Sequence, residues 1–184
     1  MARIPDLEPG GLDAAQAALY DAIAGGPRAA GPQHFALTRP DGSLRGPFNA
    51  MLLAPDLGAA LQGVGSALRY RGALSDRARE IAILLVAARW DSAFEREAHE
   101  AVGAACGLTG DELAALRAQD PTSFDGDDAV VALAVLALLD GDLDDAAWAD
   151  LESSLGAAVA FELTTLVGYY ATLALQLRVF RVGS

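Results

Sequence analysis

The chain has 184 residues, 53% of them hydrophobic and 21% charged, with a formal net charge of -12. That length predicts one domain, or one domain with an extension, and a globular composition able to bury a sizeable core. The negative charge argues against a nucleic-acid partner, which needs a basic footprint, and against an acidic membrane surface. All basic residues are arginines. This excludes a Schiff-base lysine or a P-loop lysine and leaves arginine as the counter-charge for any anionic substrate. The single cysteine, Cys106, allows no intramolecular disulfide. It fits a reducing compartment, and the start of the chain has no apolar core like that of a signal peptide, so a cytoplasmic protein is expected.

In chain order, apolar residues at helical spacing (Leu12, Ala15, Leu19, Ala22, Ile23) predict a first helix over 12–23. Residues 25–47 are rich in Gly and Pro and predict a long loop. A short helix is expected over 48–53, ended by Pro55, and another over 55–70 with Pro in its first turn. Ser75 suits an N-cap for a helix over 76–89. A helix over 92–106 follows, ended by Gly107. Thr109 and Glu112 form a capping-box pattern for a helix reaching residue 118. Helices over 125–139 and 144–155 precede a long one over 157–178. That last apolar stretch (155–180) is long enough to span a bilayer. Glu162, Gln176 and Arg178 interrupt it, which predicts a buried helix instead. Sustained period-two alternation is absent, so the fold class expected is all-α, a single-domain bundle of about eight helices. Residues 1–46 are expected to be a helix-and-loop extension packed on a helical domain at 47–184.

One constellation is suited to proton chemistry. Glu95 precedes His99 by four residues, and Ser92 precedes Glu95 by three, so all three share one side of a helix. Glu80 sits inside an apolar helix. It lies about ten residues before the break at Trp90–Asp91, and His99 about nine after it. In an antiparallel hairpin both rise roughly 14–15 Å from the turn at 1.5 Å per residue, which puts Glu80 level with Glu95 and His99. Two carboxylates and an imidazole on apolar helices can hold an acid and a base near neutral pH.

The stretch Leu74-Ser-Asp-Arg-Ala-Arg-Glu80-Ile-Ala-Ile-Leu-Leu-Val-Ala-Ala-Arg-Trp90 resembles the leading helix of the carboxymuconolactone decarboxylase and alkyl hydroperoxidase D-like superfamily. Ser92-Ala-Phe-Glu95-Arg-Glu-Ala-His99, followed by Ala105-Cys-Gly-Leu-Thr-Gly-Asp-Glu112, resembles its second signature. Gly46-Pro-Phe-Asn49 and Val167-Gly-Tyr-Tyr170 look like flanking features, so the likeness runs from Gly46 to Val182. In the family's peroxidase-type members a Cys-x-x-Cys precedes the histidine. Those cysteine positions fall here on Ser92 and Glu95, the histidine on His99, and Glu80 matches the upstream glutamate. Disulfide chemistry needs two thiols, so thiol peroxidase activity is not expected. The resemblance implies instead the decarboxylase-like branch: an alkyl hydroperoxidase D-like bundle, a trimer-based homo-oligomer, and a cofactor-free lyase without metal. It would act by acid/base chemistry on a small anionic or enolisable substrate such as a carboxylated lactone or a β-keto acid. His99 would be proton donor or relay, Glu80 its orienter, and Glu95 a base or second acid. Ser92, Trp90, Asn49, His34, Arg69, Tyr169 and Tyr170 are the candidate substrate-binding residues.

Plainer readings stand beside these. Ser92-x-x-Glu95 is itself a capping box. Glu80 could be a solvated first-turn residue, and Glu95–His99 a surface pair. Trp90 and the tyrosines could pack in a core or a subunit interface, and Cys106 could be a small buried hydrophobe. Arg71, Arg79 and Arg89 are further possible anion ligands. Asp140-x-Asp142-x-Asp144 opens like a calcium loop but has Asp145 where glycine is needed. Gly63-Val-Gly65 lacks a third glycine, and no Gly-x-Ser-x-Gly elbow occurs. Alternatives to the lyase are a non-catalytic oligomeric binding or scaffold protein of the same fold, or a biosynthetic cyclase, isomerase or hydrolase.

Overall fold

A computed structural model describes residues 2–26 and 35–182. The core is organised around one helix that is apolar on nearly every side, α4 (Asp76–Arg89), whose residues from Ala78 to Ala87 are all buried. A helix without a polar face belongs inside a bundle. The others surround it in this order: α1 (Ala14–Ala24), α2 (Pro47–Met51) and α3 (Pro55–Tyr70) before it, then α5 (Ala93–Ala105), α6 (Gly110–Ala118), α7 (Gly126–Asp140) and α8 (Asp145–Phe180). α4 packs most extensively on α5, α7 and α8. The chain is an all-helical single domain. Among the described residues the one β pairing is an isolated bridge, Thr38 to Leu44.

Local chemistry sets the helix ends. The Ser75 side chain accepts from Ala78 N–H, and Thr109 and Glu112 form the reciprocal capping box. The first helix starts later than its apolar spacing suggests, at Ala14. Asp13 accepts from Ala15 and Gln16 N–H while Gln16 returns a bond to Asp13, a capping box made by Asp and Gln. The short helix expected over 48–53 runs Pro47–Met51, and the expected 144–155 and 157–178 helices join as α8 across a kink at Gly156 (φ 83°, ψ 160°). α8 has the length and composition of a membrane span, and half of its most apolar window is buried in the fold.

Asn49 in α2 is nearly fully buried, and its side chain ties down the N-terminal segment. Its Oδ1 accepts from Leu7 N–H at 3.0 Å, and its Nδ2 donates to the Pro5 carbonyl at 3.0 Å. Leu19 and Ile23 of α1 join the main core, and α1 packs on α3. Gly46 precedes α2 with φ 58°, and a Cβ there would lie 2.3 Å from Cζ of Phe94. Only glycine both adopts that backbone and lets it cross the ring. The α2 N-terminus is thereby pressed against α5.

Candidate active site

α5 buries one stripe: Phe94, Glu95, Ala98, His99, Val102 and Gly103. The stripe faces α4, and the helix pair delivers Glu80 to His99. His99 Nδ1 lies 2.6 Å from Glu80 Oε2, and His99 Nε2 lies 3.5 Å from Glu95 Oε2. All three side chains are buried, and Glu80 is wholly so. The solvated first-turn glutamate and the surface ion pair are therefore both excluded. An ionised Glu80 can only accept, so it holds the proton of the ring on Nδ1 and leaves Nε2 facing Glu95. Each carboxylate addresses a different ring nitrogen. A proton arriving at Nε2 is matched by the Nδ1–H already held against Glu80, and the ring need not turn.

The other oxygen of Glu80, Oε1, is buried with no hydrogen-bond partner among the described residues. Beside it stands the buried Arg79, whose Nε is 3.9 Å away and whose Nη2 donates to Asp76. An incompletely satisfied buried carboxylate costs stability, and such groups concentrate where chemistry is done. Arg79 was among the arginines noted for charge alone. Its tie to Glu80 is not readable from spacing, because adjacent residues on a helix point to different sides.

The capping-box reading of Ser92 and Glu95 does not hold. The N–H that Glu95 would have capped is already bonded, from Ser92 to the Ala87 carbonyl at 2.9 Å. The Ser92 side chain makes no cap bond either. Glu95 turns inward to His99 instead.

Glu95 and His99 form one wall of a small hollow of about 20 Å³, completed by Arg69 from α3 and by Tyr169 and Tyr170 from α8. Phe35, Phe48 and Phe94 supply aromatic walls. Tyr170 meets the His99 ring edge-on, centroids 5.3 Å apart, and Tyr169 meets Tyr170 the same way at 5.2 Å. Both tyrosines belong to the core as well as to the hollow. These phenylalanines were not singled out in the sequence. Phe94 was the readable one, being one turn before Ala98 on the buried stripe.

Three of the described candidates lie elsewhere. Asn49 is engaged by the backbone of Pro5 and Leu7, and it is not among the residues of this hollow. Trp90 and Ser92 line a different hollow, on either side of the chain reversal at Asp91, whose backbone is left-handed (φ 48°). His34 falls outside the described residues. Cys106 is half-buried at the α5 C-terminus, less enclosed than a core cysteine. Burial, reinforced by the charges of Glu80 and Asp76, pushes its thiol pKa up, which disfavours a reactive thiolate. Among the described residues no group of three or more His, Cys, Asp or Glu is arranged to hold a metal ion. No protein-family model matches the chain, and no curated protein matches it.

Proposed function

We propose that the chain is a cofactor-independent acid/base enzyme, a decarboxylase-like lyase acting on a small carboxylated lactone or β-keto acid. The observation that supports it most is the buried His99 bridging two buried carboxylates at the wall of a hollow. The likeness of its signature segments to the carboxymuconolactone decarboxylase-like family supports the reaction class. Arg69 would pair with the substrate carboxylate. As carbon dioxide leaves, the electron pair of the broken C–C bond stays on the α-carbon as an enolate. His99, protonated on Nε2, delivers that proton to the carbon and is recharged from solvent. Glu80 orients the ring and stabilises its charged form, and Glu95 serves as base or second acid. Related isomerase, cyclase or hydrolase chemistry would use the same groups.

The size of the hollow favours a second reading. About 20 Å³ accommodates roughly one water molecule. A substrate larger than that needs the lining side chains to give way, whereas a non-catalytic oligomeric scaffold of the same fold needs no such opening. Carbon dioxide release from a panel of β-keto acids and lactone acids separates the two. Release is expected for the native chain, and His99→Ala should lower it by about 10²–10⁴-fold. Undiminished turnover in the variant defeats the role given to His99. A silent panel, with a homo-oligomer found by light scattering, favours the scaffold.

A further inference from the structure

Past its kink, α8 exposes Phe161, Thr164, Gly168, Thr172, Leu175 and Val179. Each step is three or four residues, so all six lie on one side of the helix. Phe161 is 74% exposed and Leu175 47%, high values for large apolar side chains. The only charged residue between Glu152 and Arg178 is Glu162, which is buried and bonded to Ala73 and Leu74 N–H. The threonine hydroxyls are satisfied by their own helix. Thr164 Oγ1 donates to the Phe161 carbonyl and Thr172 Oγ1 to the Gly168 carbonyl, each at 2.9 Å. This face can therefore be covered without stranding a donor.

Gly168 says what covers it. Glycine inside a helix destabilises it relative to alanine. A Cβ at Gly168 would meet no packed atom within 4 Å, so nothing in the fold of one chain requires a glycine there. What a glycine gives an exposed helix face is room for a second backbone to approach. The residues around it are arranged evenly: Thr164 and Thr172 lie four positions to either side, and Phe161 and Leu175 seven. A stripe that reads alike in both directions is complementary to a second copy of itself turned end for end, as a two-fold contact requires.

We propose that α8 is the two-fold contact of a homodimer, packed antiparallel on α8 of a second copy with the two Gly168 residues at the crossing. Phe161 of one copy then meets Leu175 of the other, and Thr164 meets Thr172. Charge complementarity selects the direction. α8 begins with exposed Asp145, Asp150 and Glu152 and ends with exposed Arg178 and Arg181. Antiparallel order sets each basic end beside the other copy's acidic end, whereas parallel order sets like beside like. The contact also joins two chains of net charge -12 through faces without charge. α3, which packs on α8, adds exposed Leu57, Val64 and Tyr70 to the apolar surface. One helix face is small beside the roughly 1,600 Å² of a standard interface, so a weak, concentration-dependent dimer is expected. The pairing does not depend on the chemistry assigned to His99.

Sedimentation equilibrium of the native chain from about 1 μM to about 1 mM should show monomer passing to dimer. A chain that stays monomeric over that range, or closes as a trimer, overturns the proposal. Gly168→Leu should weaken association at least ten-fold by holding the helices apart. Gly168→Ala should raise the melting temperature of the dilute chain by about 2–4 °C through helix propensity alone. Association unmoved by Gly168→Leu would mean that the glycine serves no contact, and overturns the crossing point. Direction is read by cross-linking in a Cys106→Ala background. Phe161→Cys mixed with Leu175→Cys should give mixed disulfide dimers when an oxidant is added, because the two positions face each other. Phe161→Cys linking to itself instead would establish parallel order and overturn the antiparallel one. Should a variant not fold, sedimentation of the native chain still decides.

Discussion

Glu80 lies in the second turn of α4, within the unbroken buried run from Ala78 to Ala87, a position where sequence patterns normally supply an aliphatic residue. A carboxylate persists there only if something compensates its lost hydration, and His99 at 2.6 Å is that compensation. Breaking such a pair on one side leaves the other group buried without its partner, at about 3–5 kcal/mol, whereas replacing both with apolar residues relieves the penalty. Glu80→Met and His99→Leu should therefore each lower the urea midpoint sharply, and the double variant should fall far short of the sum. Additive losses would mean that the two side chains do not meet in solution. The level at which they meet was readable from residue counts on either side of Trp90–Asp91. The identity of the third neighbour, Arg79, was not, because α4 is buried all round and no amphipathic stripe shows which way each of its residues faces.

At the scale of the helices, capping motifs were legible wherever the cap used the residue's own local geometry, as at Ser75 and Thr109. They were misleading at Ser92, where a longer-range backbone bond to Ala87 had already taken the N–H. Glu162 is another case where tertiary contact explains a residue that helix rules do not. It interrupts the apolar face of α8 because its carboxylate accepts from Ala73 N–H at 2.6 Å and from Leu74 N–H at 3.3 Å, closing the turn between α3 and α4. That turn approaches so closely that a Cβ on Gly72 would sit 2.0 Å from Glu162 Oε1. Gly72→Ala should push the carboxylate away and strand two backbone donors, costing about 2 kcal/mol, or about 4–8 °C in melting temperature for a chain of this size. Glu162→Ala added to that variant should cost little more, since the bonds are already broken. An unchanged melting temperature for Gly72→Ala would show that the turn does not rest on Glu162.

At the scale of the molecule, helical periodicity without strand alternation was enough for the all-α class, whereas the two helices expected over 144–155 and 157–178 are one, bent at Gly156. What periodicity could not supply was the lateral assembly, because the ties between helices are made by single side chains distant in sequence. Arg77 is the clearest of these. From α4 it donates to Glu112 at the start of α6 (2.5 Å), to Asp128 at the start of α7 (2.7 Å), and to the Gly107 carbonyl between α5 and α6 (2.7 Å). The Arg77 guanidinium, followed by the Thr109 backbone, holds the Glu112 carboxyl below its ordinary value of 4.5. A carboxyl depressed in the folded state binds fewer protons there than in the unfolded chain as pH falls below that value. Its contribution is therefore complete above about pH 4.5 and is lost as pH drops through the lower, folded value. Urea midpoints followed from about pH 6 to about pH 3 should decline over that acid range. In Arg77→Met the protein should be less stable throughout, and its acid decline should be shallower though not flat, because Thr109 still lowers Glu112. Parallel declines for the two proteins would show that the Arg77–Glu112 contact has no part in joining α4 to α6.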